Sequence, residues 1–256
     1  MLENKDLLTE DNKKFASIFS SRYWRAAVDQ MKDTRMLTIA ALIVALRIVV
    51  KFVKIPIAQG LSISLDAYVN SLGSVVYGPV VGLVVGLISD TLGCLLTGRM
   101  AEYFPPFALV EMMSSFLFGL FFWKRRIRIS RALSAKFTVN LVCNIIMTSV
   151  FNKWMYFFYY GLERAEAYNI INGVRIVKNL VMFPLEATII VVVLSATLPM
   201  LTKMRLIDPN YCFVSKPTNK KLGIEILLFT ALSVALILLY IFVFKDIIAE
   251  LNIKFW

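Results

Sequence analysis

Apolar residues fall along this chain in long runs broken by short polar connectors, without the strand alternation of an outer-membrane barrel. The runs cover 36–53, 66–77, 79–96, 107–123, 137–160, 176–198 and 222–244. A spanning helix needs about 20 largely apolar residues, and the chain supplies several stretches of that order. The second and third runs meet at Gly78-Pro79, which places proline at a favourable helix start and predicts two helices joined by a turn. From there Gly78, Gly82, Gly86 and Asp90 recur every four residues among Val, Leu and Ile, drifting slowly along one helix face. A soluble helix would not repeat glycine this often, at roughly 1 kcal/mol each against alanine. In a bilayer, small residues let helices approach to backbone contact. A carboxylate at the end of that face is costly in lipid, so it should point into protein or a polar cavity. The pattern reads as a tightly packed membrane helix that helps to wall a site.

Composition agrees. Of 256 residues, 59% are hydrophobic, and the mean hydropathy of +0.71 exceeds that of ordinary soluble domains. Cys94, Cys143 and Cys212 are odd in number and widely spaced, which argues for separate thiols and against a disulfide framework or zinc cluster. The sequence contains no histidine, which removes the usual general base and proton shuttle and the commonest metal ligand.

Charge then orients the segments. The net charge of +11 gathers at the ends of apolar runs, as the positive-inside rule requires, which argues against a nucleic-acid partner. Lys124, Arg125, Arg126, Arg128, Arg131 and Lys136 carry no acidic neighbour, and Lys203, Arg205, Lys216, Lys220 and Lys221 follow the sixth run. Counted from a cytoplasmic N-terminus, with Lys32 and Arg35 before the first run, both basic loops fall inside. The N-terminus mixes both charge signs and lacks the apolar core of a signal peptide. The chain therefore divides into four parts. Residues 1–35 form a cytoplasmic tail with an interfacial helix around 15–31, and 36–202 a six-helix membrane core. Residues 203–221 form a cytoplasmic basic linker, and 222–256 a further hydrophobic helix and tail. The expected class is an all-α integral membrane protein.

Polar residues inside the runs are the candidate chemistry. Arg47, Lys51 and Lys54 share one face of the first segment. Lys51 and Lys54 can snorkel to the outer headgroups. The deeper Arg47 either lines a cavity or pairs with Asp90 or Glu111. Arg99 and Tyr103 lie in an outer loop stiffened by Pro105-Pro106, which suits either a ligand-ready wall or a rigid connector. Asn140 and Asn144 are one turn apart on the fifth segment, where interhelical hydrogen bonding is an equal account. Asn152 and Lys153 sit farther out among Trp154, Tyr156, Tyr159 and Tyr160. Arg175 and Lys178 open the sixth segment, and Pro184 should kink it. Cations, amides and rings thus converge on one predicted side, a pattern suited to a flat, hydrogen-bonding ring system with a carboxylate tail. Rings stack on such a ligand, amides read its edge, and arginine takes carboxylates bidentately.

Three sets of residues carry a resemblance. They are Gly78-Pro79 with Gly82, Gly86, Asp90 and Gly93; Tyr103-Phe104-Pro105; and the block from Arg175 through Lys178-Asn179 to Pro184-Leu185-Glu186. Over about 36–202 the chain resembles the substrate-binding (S) components of energy-coupling factor vitamin transporters, most of all the folate-specific branch. Ala41 and Ala45 are similar to that family's small-residue docking motif. The resemblance implies a six-helix subunit with no cofactor and no ATPase of its own, in the bacterial cell membrane. It implies capture of a vitamin, most simply folate, from outside. Delivery would follow docking on a transmembrane coupling subunit driven by two ATPases, where ATP is used. It also implies a ligand site formed by the 57–64 loop, Arg99, Asn144, Asn152, Lys153, Arg175 and Lys178. Asn152-Lys153-Trp154 departs from that family's Asn-Thr-Leu-Trp-like stretch, and the charged tail and the run after 222 lie outside its pattern.

Two other classes fit less of the sequence. An intramembrane protease of the serine–histidine type needs the histidine this chain lacks. A stand-alone carrier commonly shows paired halves or inverted repeats, and no internal repeat is evident. An S component for another vitamin remains the nearest alternative.

Overall fold

The computed structural model describes residues 18–58, 61–98, 103–167 and 173–207, together with Ile224, Leu228, Ala231, Leu232, Val234, Ala235 and Leu238. Arg99 with the rest of 99–102, the loop residues 168–172, Cys212 and the linker beyond 207 lie outside the described residues. So does most of 222–256; the seven residues described there are helical and exposed.

Helix α1 (Ser21–Asp29) passes through one 3-10 turn into α2 (Thr34–Lys51). Asp33 caps α2, its Oδ1 accepting from the Arg35 backbone N–H at 2.9 Å. Strands β1 (Lys54–Ala58) and β2 (Leu61–Ser64) then form an antiparallel hairpin with Lys54 opposite Ser64 and Ile55 opposite Ile63. This corrects the all-helical expectation. Leu61-Ser62-Ile63-Ser64 does alternate apolar and polar, but the signal is brief beside the long apolar runs around it. Next come α3 (Asp66–Leu96), α4 (Pro106–Phe122) and α5 (Ile129–Val139). A π-helical stretch, Asn140–Met147, leads into α6 (Thr148–Tyr160), followed by the short α7 (Leu162–Ala167) and α8 (Gly173–Lys203).

α3 is a folded-back pair. Gly78 sits at φ 80° and ψ −174°, outside helical space and in a region glycine adopts readily. Ser74 donates to the Ser115 carbonyl at 3.2 Å, and a Cβ on Gly82 would lie 3.2 Å from the same oxygen. In a straight helix these residues would be separated by about 12 Å. The chain therefore reverses at Gly78-Pro79, as the sequence predicts. The glycine ladder is the seam with α4: Gly78 meets the Trp123 ring, Gly82 meets Ser115, Gly86 meets Met112, and Gly119 meets Pro79. Small residues on both helices bring the backbones together.

The main core joins the first half of α3 (Tyr68, Val75, Val76) with α4, α5 and α8. A second cluster packs α2 against α3. A third seats α1 at the end of the bundle that carries the basic loop: Tyr23 packs edge-on against Trp123 with centroids 5.2 Å apart. Burial pushes the Tyr23 phenol up to about 12, partly offset by Arg125.

α5 starts at Ile129, well before the expected 137, because Ile127, Ala132 and Ala135 carry the apolar face of the core through the basic run. Lys136 is consequently no loop residue. It is buried and paired with Glu186 at 2.9 Å. Among the described residues, Ile129–Tyr160 and Arg175–Lys203 are long and apolar enough to cross a membrane, as is Asp66–Leu96 by its total length before its reversal at Gly78-Pro79, and Pro106–Phe122 is a shorter apolar helix.

Candidate functional site

Two groups of polar side chains lie within this apolar bundle, and different elements build them. The first joins α2, α3 and α4. Arg47 shares the inward face of α2 with Ala40, Ile43, Val44 and Ile48, and its side chain is 0% exposed. Nε and Nη2 donate to Asp66 Oδ1 and Oδ2, each at 2.8 Å. Nη2 also reaches Glu111 Oε2 at 2.6 Å, and Nη1 reaches Ser115 Oγ at 3.2 Å. Ser115 Oγ in turn lies 2.7 Å from Asn70 Oδ1. One turn along α2, Lys51 donates to the Ser89 carbonyl at 3.2 Å and to Asp90 at 3.3 Å, its stem lying across Gly93.

Arg47 thus takes Glu111 as a partner, while Asp90 goes to Lys51. Lys51 turns inward, contrary to the expected snorkelling, because a partly desolvated carboxylate stands within its reach. Asp66 is the partner that sequence reasoning missed. It is the first residue of α3, and no helical spacing rule links it to Arg47 across the intervening hairpin. Each guanidinium nitrogen of Arg47 already has a protein acceptor, and four of its five N–H groups are engaged within the protein.

The second group lies between the α5–α6 rod and α8. Lys136–Glu186 at 2.9 Å and Phe137–Phe183, with ring centroids 5.8 Å apart, set an antiparallel register. Farther along it, Arg175 Nη1 donates to Ser149 Oγ at 3.3 Å, and Asn179 donates to the Arg175 carbonyl at 2.9 Å. That register sets Asn144 level with Lys178. Arg175 and Lys178 are both half-buried, and Lys178 has no ion-pair partner among the described residues.

Asn144 lies in the π-helical stretch and donates to Asn140 Oδ1 at 3.0 Å. Thr148 Oγ1 donates to the Cys143 carbonyl five residues back, at 2.8 Å. π-Helical turns occur often at functional sites. Asn140 Nδ2 and the Tyr68 hydroxyl are buried without hydrogen-bond partners. Asn152 and Lys153 lie half-buried farther out on α6. Tyr103 lies 3.0 Å from Thr91 Oγ1 through its hydroxyl, and its carbonyl accepts from Tyr159 at 3.5 Å. Phe104 beside it packs against Phe107, Phe158 and Tyr159.

The structure therefore brings Asn144, Arg175 and Lys178 to one seam. Asn152 and Lys153 continue along it, and Tyr103 is tied to the C-terminal end of α6. Arg47 belongs to the other group, and Arg99 lies outside the described residues. Tyr68 gave no sequence signal, because a tyrosine in an apolar run reads as core. Ala41 and Ala45 lie on the opposite, exposed face of α2, one turn apart, beside Leu42, Leu46 and Val49.

Comparison with known proteins matches residues 35–195 to the family "ECF transporter, substrate-specific component". The folate transporter FolT of Clostridium novyi is 27% identical over 120 residues, which cover 47% of this chain and 64% of that protein. The chain thus spans just under two thirds of that relative's length. The folate transporter FolT of Leuconostoc mesenteroides is 26% identical over 158 residues, covering 61% of this chain and 83% of that protein. A crystal structure of FolT bound with folic acid aligns with a TM-score of 0.49 at 24% identity, over 60% of this chain and 88% of that one. The family match begins at the start of α2 and runs into α8, taking in more than half of the chain and both polar groups. The chain belongs to the substrate-specific components of the energy-coupling factor transporters.

Proposed function

We propose that this chain is the folate-binding subunit of an energy-coupling factor importer, multi-pass in a bacterial cell membrane with its N-terminus cytoplasmic. It captures folate outside and gives it up on docking to a transmembrane coupling subunit. Two partner ATPases supply ATP hydrolysis, so this chain carries no catalytic step and no cofactor. Six crossings come from α2, the two halves of α3, α4, the α5–α6 rod and α8, with a further hydrophobic helix after 222.

The observation that carries the reading is the half-buried cation pair Arg175 and Lys178, level with Asn144 in a family member whose curated relatives are folate transporters. Folate has a flat, amide-like ring edge and two carboxylates. Asn144 and the unsatisfied Asn140 and Tyr68 groups suit the ring edge, since a buried polar atom in hydrocarbon costs several kcal/mol until paired. Arg175, Lys178 and Lys153 suit the carboxylates, while Asn152 and Tyr103 close the wall. Arg47 serves the site from behind by fixing α2, α3 and α4, because four of its five N–H donors are already taken. The exposed Ala41 and Ala45 leave a shallow face for the coupling subunit.

Purified protein titrated with folate and followed by tryptophan fluorescence tests this reading. Arg175→Ala should weaken binding more than tenfold, about 1.4 kcal/mol or more, and unchanged affinity removes the assignment. In proteoliposomes holding the whole importer, Ala41→Leu with Ala45→Leu should stop uptake while binding persists. Lost binding would instead make those positions part of the core. Mass spectrometry of the co-purifying small molecule identifies the vitamin directly.

A further inference from the structure

A cationic cavity lies at the end of the bundle opposite the Arg175 seam. α4 stops at Phe122, Lys124 turns through φ 50°, and the chain re-enters a helix at Ile129. This loop, the helices on either side of it and Ile18 ahead of α1 border an open cavity of about 410 Å³. Arg125, Arg128 and Arg131 line it together with the hydroxyl-bearing Ser130 and Ser134, while Leu120 and Phe121 form an apolar wall. Among the described residues, no acidic side chain is in its lining. Among the described residues, none of the three arginines has an ion-pair partner. Arg125 Nε is buried with no hydrogen-bond partner at all.

The start of α5 adds to this field. Its first turn carries no acidic residue and its N-cap, Arg128, makes no side-chain cap, so its free N–H groups and positive dipole end face the same region. Three gathered guanidiniums and a buried unpaired N–H are costly without an anion. A free inorganic anion would satisfy them but has no use for the apolar wall. A lipid phosphate carries hydrocarbon next to the charge, and basic pockets at the cytoplasmic ends of membrane helices suit such headgroups. We propose that this cavity binds the headgroup phosphate of an anionic phospholipid, with the arginines taking its oxygens and Leu120 and Phe121 the root of an acyl chain. The inference rests on the helices being embedded in a bilayer and is independent of which vitamin is bound.

The test uses the full chain, delipidated in detergent, with bound lipid counted by native mass spectrometry. Phosphatidylglycerol should be retained at least tenfold over phosphatidylcholine. The triple variant Arg125→Gln, Arg128→Gln, Arg131→Gln should lose that preference while still binding folate. Arg128→Glu alone, at an exposed position, should weaken retention at least fivefold and guards against misfolding of the triple variant. Arg126→Gln, outside the cavity, should change nothing. Equal retention of the two lipids, or an unaffected Arg128→Glu variant, overturns the proposal. Displacement of the lipid by millimolar inorganic phosphate would assign a free-anion site and overturn it too. So would retention that rises in Glu10→Gln with Asp11→Asn, since the chain's own tail would then be the occupant.

Discussion

Arg47 and Arg175 are both arginines set among apolar helices, yet their surroundings differ. Arg47 is wholly enclosed and holds carboxylates from two other helices, beside a seam where glycines bring α3 and α4 to backbone contact. Arg175 is half-buried, touches the Ser149 hydroxyl, and stands one turn from Lys178, which has no carboxylate partner among the described residues. Placing an isolated arginine in the middle of a membrane costs roughly 2.5–3.5 kcal/mol by insertion measurements. The first region offsets that cost within the protein. On the proposed reading, Lys178 in the second region leaves part of it for an anionic ligand to offset. A buried cation therefore marks scaffold where the fold supplies the countercharge, and marks a binding surface where the ligand must.

The largest effect should come from removing the countercharge balance of the first region. Arg47→Ala leaves Asp66 and Glu111 facing each other without a cation, and breaking such a buried pair costs about 3–5 kcal/mol. Thermal unfolding in detergent should show a large loss, or no folded protein. Replacing the whole cluster (Arg47→Met, Asp66→Asn, Glu111→Gln) should recover most of it, because no charge is then buried. Arg175→Ala should leave the unfolding temperature nearly unchanged. Equal destabilisation by Arg47→Ala and Arg175→Ala would erase the distinction between the regions.

The glycine seam comes next. A Cβ at Gly119 would lie 2.6 Å from the Pro79 Cα and N, backbone atoms that cannot swing aside. Overpacking of this kind typically costs about 1–3 kcal/mol, so Gly119→Ala should lower stability clearly. Gly82→Ala, whose Cβ would meet the Ser115 carbonyl at 3.2 Å, should cost less. The reverse order would mean that α3 and α4 are not held at this spacing.

These two regions also show what the sequence made legible. The four-residue glycine period and Gly78-Pro79 announced both the tight seam and the reversal, because local spacing and backbone chemistry determine them. The candidate cations and Asn144 were visible as polar residues in apolar runs. Glu111 was legible as a partner of Arg47, but the other partners were not. Asp66 meets Arg47 across a hairpin, Lys136 meets Glu186 across two antiparallel helices, and such pairings depend on register that a single chain does not print. Lys136 was further disguised by lying at the end of a basic run that continues into a helix. The β1–β2 hairpin was hidden for another reason: its alternation spans only four residues of β2.

The smallest effect discriminates most finely within the second region. Ser149 is buried, and its hydroxyl accepts from Arg175 Nη1 at 3.3 Å, a long hydrogen bond that orients the guanidinium. A hydrogen bond of this kind contributes about 0.5–1.5 kcal/mol, so Ser149→Ala should weaken folate binding by roughly two- to tenfold. Its unfolding temperature should stay close to that of the parent. The double variant Ser149→Ala, Arg175→Ala should bind no worse than Arg175→Ala alone, since a residue acting through Arg175 has nothing left to orient once Arg175 is gone. Additive losses would show that Ser149 meets the ligand independently. An unchanged single variant would show that the direction of Arg175 is fixed by something other than this contact.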